Sequence, residues 1–177
     1  MISEKQLIES CLNCDRKAQK ELYELYSRKM MSVCLRYAGD AETAKDLLQD
    51  GFIRIFINLS SFQFSGSFEG WMRRIIVNTC LEHLRKNDLL QDAADLDHVV
   101  APMADGGYSI VETLSARDLM KIIGELPSGF RTVFNMYAIE GYSHKEIADA
   151  LGINESTSRS QLTRAKQMLQ KMIPNNR

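Results

Sequence analysis

Apolar residues recur along the chain at intervals of three and four positions, and no sustained stretch alternates apolar with polar residues. That spacing puts apolar side chains on one face of an α-helix, so it predicts an all-α protein. Four helices are predicted in the first half: one opened by a capping box of Ser3 and Gln6, one over about 15–37, one after Asp40, and one over about 68–86. The inward stripe predicted for the second helix consists of Ala18, Leu22, Leu25, Tyr26, Met30, Val33 and Tyr37.

The last third of the chain has the spacing of a helix-turn-helix. A helix is predicted over about 128–139, and Ser143 with Glu146 forms a capping box that opens a short helix. Gly152 is placed to end that helix in a left-handed turn, and Asn154 to cap the last helix. This order is typical of DNA-binding motifs whose second helix enters the major groove. A plain helical hairpin is the alternative.

The last helix has two chemically distinct sides. Apolar residues form one of them, and from Asn154 onward five basic residues stand against one acidic residue. This balance favours contact with nucleic acid. The polar side consists of Ser156, Arg159, Ser160, Thr163, Arg164 and Gln167.

Length and composition bound the class of protein. The 177 residues, 45% of them hydrophobic and 25% charged, are typical of globular chains and suffice for one domain or two small ones. No run approaches the roughly 18 apolar residues of a membrane span, and the first residues lack the order of a secretory signal. We therefore expect a cytoplasmic protein that is not embedded in a membrane, with its four cysteines as reduced thiols.

The net charge of −1 conceals an uneven distribution. Residues 1–87 carry 13 basic and 11 acidic side chains. Residues 88–116 carry no basic and 6 acidic side chains, and residues 117–177 carry 9 basic and 6 acidic side chains. The acidic stretch also contains Pro102 and two adjacent glycines, a composition typical of linkers. We predict two small helical domains, 1–87 and 112–177, joined by a flexible acidic linker over 88–111.

Two polar stripes in the first domain are candidate binding surfaces. On the fourth helix, an aromatic ring among guanidinium and amide groups suits stacking on unpaired bases and contact with phosphate, and exposed Phe62 and Phe64 would add to it. Its members are Trp71, Arg74, Asn78, Glu82 and Arg85. A solvated helix face with Trp71 partly packed on the core is the alternative. The third helix has an acidic stripe that suits docking on a basic partner or simple solvation, formed by Glu42, Asp46, Gln49 and Asp50.

With these elements in place, the sequence resembles the extracytoplasmic-function group of bacterial sigma factors, two-domain initiation subunits of RNA polymerase. The similarity covers nearly the whole chain. The segments that carry it lie at 46–56, 68–72 and 78–85 in the first domain, and at 126–127, 140–148, 151–153 and 157–165 in the second. Both sets occur in the family's order, on either side of a linker of the expected kind.

The resemblance implies a role for each surface. Docking on the clamp helices of core RNA polymerase would involve Asp46, Gln49, Asp50 and Phe52. Melting and reading of a minus-10-type promoter element would involve Phe62, Phe64, Trp71, Arg74, Asn78, Glu82 and Arg85. Reading of a minus-35-type element would involve Ser156, Thr157, Arg159, Ser160, Thr163, Arg164 and Lys166. The acidic linker would thread the nucleic-acid channels of the polymerase, and an anti-sigma protein would be a further partner.

Three positions depart from the family pattern. Glu82 stands where many members have Asp, and Gly51 replaces a usual aliphatic residue in mid-helix, where a close approach of a partner or chance would account for it. Ser158 replaces an aliphatic residue on the core side of the last helix. We expect its side chain to bond back to the Asn154 carbonyl, so that Ser158→Val would stabilise the domain.

Other functions fit the sequence less well. A stand-alone helix-turn-helix regulator would leave the acidic stripe and the aromatic loop without a purpose, and such proteins usually have a more basic surface than a pI near 6.3 implies. Cys11 and Cys14 have the spacing of a redox or zinc pair, but no second pair follows, so two ordinary thiols are the simpler interpretation. No pattern indicates catalysis, a cofactor, a metal site or a small-molecule substrate.

Overall fold

The computed structural model describes residues 3–86 and 116–173. The regular structure in these two stretches is helical throughout, so the all-α prediction is confirmed. The chain divides into two compact units, with the division after His83. The predicted acidic linker, 88–111, lies outside the described residues. None of the described helices is both long and apolar enough to cross a membrane.

The first unit is built from four helices whose starts are fixed by side-chain caps. They are α1 (Glu4–Leu12), α2 (Arg16–Ala38), α3 (Ala41–Asn58) and α4 (Phe68–Lys86), with a 3₁₀ turn, Leu59–Ser61, after α3. Each cap accepts a backbone N–H that the first helical turn leaves without an intrahelical partner. The capping side chains are Ser3 in a capping box with Gln6, then Asp15, Asp40 and Ser67.

The packing of α2 departs from the prediction at one position. Leu22, Met30 and Tyr37 are buried as expected, but Leu25 is 57% exposed, so its placement in the core was wrong. At 100° per residue, Leu25 points about 100° away from the centre of the buried arc of α2. The predicted stripe was wider than the face that the neighbouring helices cover.

Gly51 marks the contact between α3 and α4. It is buried, and a Cβ atom at this position would collide with the side-chain end of Ile76, itself fully buried on α4. The close approach that explains the glycine is therefore an internal one, between two helices of the same unit. Gly51 lets α4 pack closely on α3, and this contact helps to position the polar face of α4.

The second unit contains the predicted helix-turn-helix. Its helices are α5 (Ala116–Gly124), α6 (Ser128–Phe134), α7 (His144–Leu151) and α8 (Glu155–Met172). The helix predicted over 128–139 is confirmed, but its last part, Asn135–Ile139, is π-helical rather than α-helical. Between α7 and α8, Gly152 has a φ of +68°, the left-handed conformation that its lack of a side chain permits.

The helix-turn-helix is anchored to a compact core. The capping box of Ser143 and Glu146 opens α7 as predicted, whereas Asn154 precedes α8 without a side-chain capping bond. One side of α8 packs on α5 and α6, which leaves its other side available. The buried cluster consists of Ile123, Leu126, Phe130, Ala165 and Leu169.

Candidate nucleic-acid interface

An open cavity of about 400 Å³ lies where the loop before α4 meets the first turns of that helix. Its lining combines aromatic, hydroxyl, amide and guanidinium groups. One wall is Trp71, whose ring stacks on Phe68 with centroids 5.6 Å apart and planes 16° from parallel. The lining residues are Ser61, Phe62, Gln63, Ser65, Gly66, Ser67, Gly70, Trp71 and Arg74. The cavity falls in the size range of sites for small organic ligands.

Phe62 does not have the exposed position expected of a residue that contacts DNA. Its side chain is only 8% exposed, and its ring lies 5.0 Å from that of Phe68 and 5.5 Å from that of Trp71. Because the loop folds back onto α4, Phe62 serves as the floor beneath Trp71. The expectation of an exposed Phe62 was therefore wrong.

Phe64, in contrast, projects from the same loop. It is 44% exposed, its ring lies 5.2 Å from Phe62, and its φ of +55° is uncommon for a residue with a side chain. Lys5 of α1 approaches the ring, with Nζ 5.8 Å from its centroid. The loop therefore holds one large aromatic ring outward beside a cation.

The polar stripe of α4 lies as predicted on the face opposite the core. Arg74, Asn78 and Arg85 are exposed, and Trp71 is half-buried. The carboxylate of Glu82 accepts from the Arg54 guanidinium of α3 at 2.7 Å, which was not predicted. Glu82 is thus held in an ion pair within the unit. A Glu side chain is one methylene longer than that of Asp, and this length allows it to reach Arg54.

The acidic stripe of α3 is exposed, but one residue assigned to polymerase docking is not. Asp46, Gln49 and Asp50 all face solvent. Phe52 is only 3% exposed, because its ring packs 4.7 Å from that of Tyr23 on α2. Assigning Phe52 to a docking contact was therefore wrong, and its role is to hold α3 against α2.

Two residues on the same face were missed. Ile53 is 52% exposed and Ile57 is 73% exposed. At 100° per residue both project within about 20° of Asp46, so the acidic stripe continues into an apolar end. The helical projection of the sequence would have revealed them. We call the face formed by Glu42, Asp46, Gln49, Asp50, Ile53 and Ile57 the docking face.

On α8 the predicted groove-facing residues lie on the side away from the core cluster. Ser156, Arg159, Thr163 and Lys166 are exposed, and Thr157, Ser160 and Arg164 are partly exposed. Arg159 pairs with Glu155 at 2.8 Å, an exposed contact one helical turn apart that a phosphate or base could displace.

Ser158 has a different partner from the one expected. It is fully buried, and its Oγ lies 2.9 Å from Nδ1 of His144, the first residue of α7. The His144 ring in turn stacks on Tyr137 with centroids 4.5 Å apart. Neither His144 nor Tyr137 was singled out from the sequence, because the contact joins residues that are distant along the chain.

The environment of Cys11, in α1, does not favour a reactive thiol. Burial, followed by the charges of Asp15 and Glu21, raises the pKa of the Cys11 thiol to about 11. Redox and metal-binding cysteines need a lowered pKa, so this environment opposes such chemistry. Cys14 is exposed beyond the end of the helix.

Comparison with known families agrees with this arrangement. Residues 22–90 match the model of sigma-70 region 2, which includes α3, the aromatic loop and α4. Residues 116–169 match the model of sigma-70 region 4, which includes the helix-turn-helix. The two regions occur in this order along the chain.

Individual relatives and a similar solved structure are also sigma factors. The chain is 32% identical over 152 residues to the ECF RNA polymerase sigma factor SigE of Mycolicibacterium smegmatis, a match that covers 84% of this chain and spans 59% of that protein. It is 28% identical over 169 residues to the ECF RNA polymerase sigma factor SigW of Bacillus subtilis, covering 90% of each. The fold is similar to the sigma factor RpoE of Bartonella quintana, solved with the anti-sigma factor NepR, with a TM-score of 0.54 and 21% identity over 89% of this chain and 98% of that one. The chain belongs to the extracytoplasmic-function group of the sigma-70 family, whose members give bacterial RNA polymerase its promoter specificity.

Proposed function

We propose that the chain binds core RNA polymerase and directs it to specific promoters, without catalysis of its own. The domain over 1–87 docks on the polymerase and melts and reads a minus-10-type element. The domain over 112–177 reads a minus-35-type element through α8. We expect the protein to act in the cytoplasm, where the bacterial polymerase acts.

The observation that carries the proposal is the cavity beside Trp71. Capture of an unpaired base needs an aromatic surface for stacking and polar groups for its edges. Trp71 supplies the ring, supported from behind by Phe62 and Phe68, while Gln63 and Arg74 supply hydrogen-bonding groups. Phe64, whose ring is exposed, would enter the base stack as the strands separate. A merely solvated helix face would need neither the cavity nor the exposed ring.

The docking face has the composition of a protein interface. Exposed carboxylates at Asp46 and Asp50 would steer approach to a basic surface of the polymerase, and Ile53 and Ile57 would be desolvated on contact. Two exposed isoleucines one turn apart form a contiguous apolar patch, and such patches mark interaction sites more often than apolar residues scattered singly. We therefore assign Ile53 and Ile57 to polymerase docking together with the acidic residues.

An anti-sigma protein is part of the proposal. The structurally similar RpoE of Bartonella quintana was solved in complex with the anti-sigma factor NepR. The two helical units would offer such a partner surfaces that are also needed for transcription. Binding of the anti-sigma protein would then compete with binding of the polymerase.

The test measures co-elution with core polymerase and transcription from genomic fragments that the core alone ignores. Asp50→Arg should weaken co-elution, because it places a cation on the docking face. The Arg159→Ala variant should still co-elute with the polymerase but should no longer select promoters by their minus-35-type element. Glu24→Arg and Lys171→Ala are matched controls, since both positions are exposed and lie outside the proposed surfaces.

The outcomes separate the competing functions. Loss of both activities in each variant would contradict the division of labour between the units. Tight binding of the chain to duplex DNA without any interaction with the core would instead identify an independent helix-turn-helix regulator.

A further inference from the structure

The helix-turn-helix contains a buried hydrogen bond that the recognition of bases does not require. Ser158, 0% exposed on the core side of α8, lies 2.9 Å from Nδ1 of His144 at the start of α7. An aliphatic residue at position 158 would pack there without a polar partner. We therefore attribute the bond to its effect on His144, whose side chain is only partly buried.

The direction of this bond fixes the proton on the imidazole. A buried hydroxyl whose hydrogen has no acceptor costs free energy, so we assign the Ser158 hydroxyl as the donor and Nδ1 as the acceptor. A neutral ring that accepts at Nδ1 carries its single proton at Nε2. Burial, with the charges of Arg159 and Lys166, lowers the pKa of His144, which keeps the ring neutral near pH 7, and Glu155 opposes this effect. His144 is thus prepared as a donor at Nε2.

Tyr137 holds the plane of the same ring. It lies in the π-helical turn before α7, is 41% exposed, and stacks on His144 with an angle of 20° between the planes. The imidazole is therefore constrained by a stacked ring on its face and by a hydrogen bond at its edge. An exposed tyrosine in this position covers the histidine without enclosing it.

The charges around His144 favour an anionic ligand. Arg159 and Lys166 of α8 act on the ring electrostatically, and Glu155 is the acidic group that faces it. In a helix-turn-helix the first helix crosses the phosphate backbone while the second enters the groove. The start of α7 and the cations of α8 would then meet the same DNA strand.

We propose that His144 donates a hydrogen bond from Nε2 to a DNA backbone phosphate, with Ser158 fixing the tautomer and Tyr137 the plane of the ring. This inference rests on the proposed function of the second unit as the reader of DNA. His144 and Tyr137 thereby extend the DNA-binding surface beyond α8. Because the contact is to phosphate, it contributes affinity and orientation rather than sequence preference.

The first experiment follows the His144 ring by NMR in the full chain, with and without a short mixed-sequence DNA duplex at low salt. A mixed sequence suffices because phosphate contacts are independent of sequence. We expect DNA to raise the pKa of His144, since a phosphate stabilises the imidazolium and neutralises the neighbouring cations. Shifts of the α8 amide signals report DNA binding independently.

Two substitutions separate the two nitrogens of the ring. His144→Asn keeps a polar group at the position of Nδ1, whereas His144→Gln keeps an amide donor near the position of Nε2. We expect His144→Asn to lose roughly threefold to tenfold in DNA affinity, and His144→Gln to retain more of it. Wild-type affinity should also rise from about pH 8 to about pH 6, and neither variant should show this rise.

The results distinguish failure of this inference from failure of the proposed function. An unchanged His144 pKa while the α8 signals respond to DNA would overturn the phosphate contact alone. Affinity retained in His144→Asn but lost in His144→Gln would assign His144 a purely structural role and would also overturn it. If the α8 signals do not respond and Arg159→Ala has no effect, the second unit does not read DNA.

Discussion

At the scale of single residues, position 51 sets how closely two helices approach. Glycine in mid-helix costs about 1 kcal/mol relative to alanine, so an isolated α3 would be more stable with alanine. In the folded unit, the missing side chain leaves room for the end of Ile76, which is fully buried, so an added Cβ would force that side chain to shift. Overpacking a core of this kind costs about 1–3 kcal/mol, more than the helix gains.

Gly51→Ala should therefore lower the free energy of unfolding of the first unit by about 1 kcal/mol, a fall in melting temperature of about 5 °C. Adding Ile76→Val removes the methyl group that collides, so the double variant should lose less than the two single losses together. Thermal unfolding of the four proteins measures this coupling. Gly70→Ala is the control, because its Cβ would meet Ser67 at an ordinary 3.6 Å. If the losses of the two single variants simply add in the double variant, the contact with Ile76 is not the cause of the destabilisation by Gly51→Ala.

At the scale of elements, the two phenylalanines of the loop before α4 have different roles. Phe62 lies beneath Trp71 and contacts the rings of Phe64, Phe68 and Trp71, whereas Phe64 points outward. The buried ring supports the cavity, and the exposed ring is available to DNA. The same residue type thus has a structural role at one position and a proposed functional role two residues later.

These roles predict opposite phenotypes. Phe62→Ala should destabilise the first unit by about 3 kcal/mol, because it leaves a void beneath Trp71. Phe64→Ala should change stability by less than about 0.5 kcal/mol and reduce promoter opening, measured by permanganate reactivity of unpaired thymines. A folded and stable Phe64→Ala that opens promoters normally would contradict its proposed role in melting. Equal loss of stability in both variants would contradict the observed difference in burial.

At the scale of the whole molecule, the charge distribution suits a factor that works with a partner. A net charge of −1 gives little general attraction to DNA, so we expect the chain to depend on the polymerase for much of its affinity. The acidic docking face and the basic α8 belong to different units of the chain. Their contributions to initiation should therefore be separable.

The double variant Asp50→Arg/Arg159→Ala tests this separation. Because the two residues share no partner, their effects on the free energy of initiation should add, so the defect of the double variant should be the product of the single defects. Abortive transcription at a polymerase concentration below saturation, relative to the wild type, gives the defect of each single variant and of the double variant. A double variant no worse than Asp50→Arg alone would mean that α8 contributes only after docking is complete.

The local signals in the sequence determined the elements of this protein and the residues at which most of them begin. Helical periodicity, the capping boxes at Ser3 and Ser143, and the left-handed turn at Gly152 depend on neighbours within a few residues, so they can be predicted without a fold. The polar faces of α4 and α8 were predicted for the same reason. Family resemblance, carried by short motifs, supplied the expected functions.

Packing between helices sets which positions are buried and which are exposed, so these positions could be identified only from the folded structure. Phe52 and Phe62 are buried because other elements cover them, and Leu25 and Ile57 are exposed because none does. The partners of Gly51 and Ser158 are likewise separated from them by more than a helical turn along the chain. A helix's own sequence gives the direction in which each side chain points, but the surface that meets it there belongs to another part of the chain.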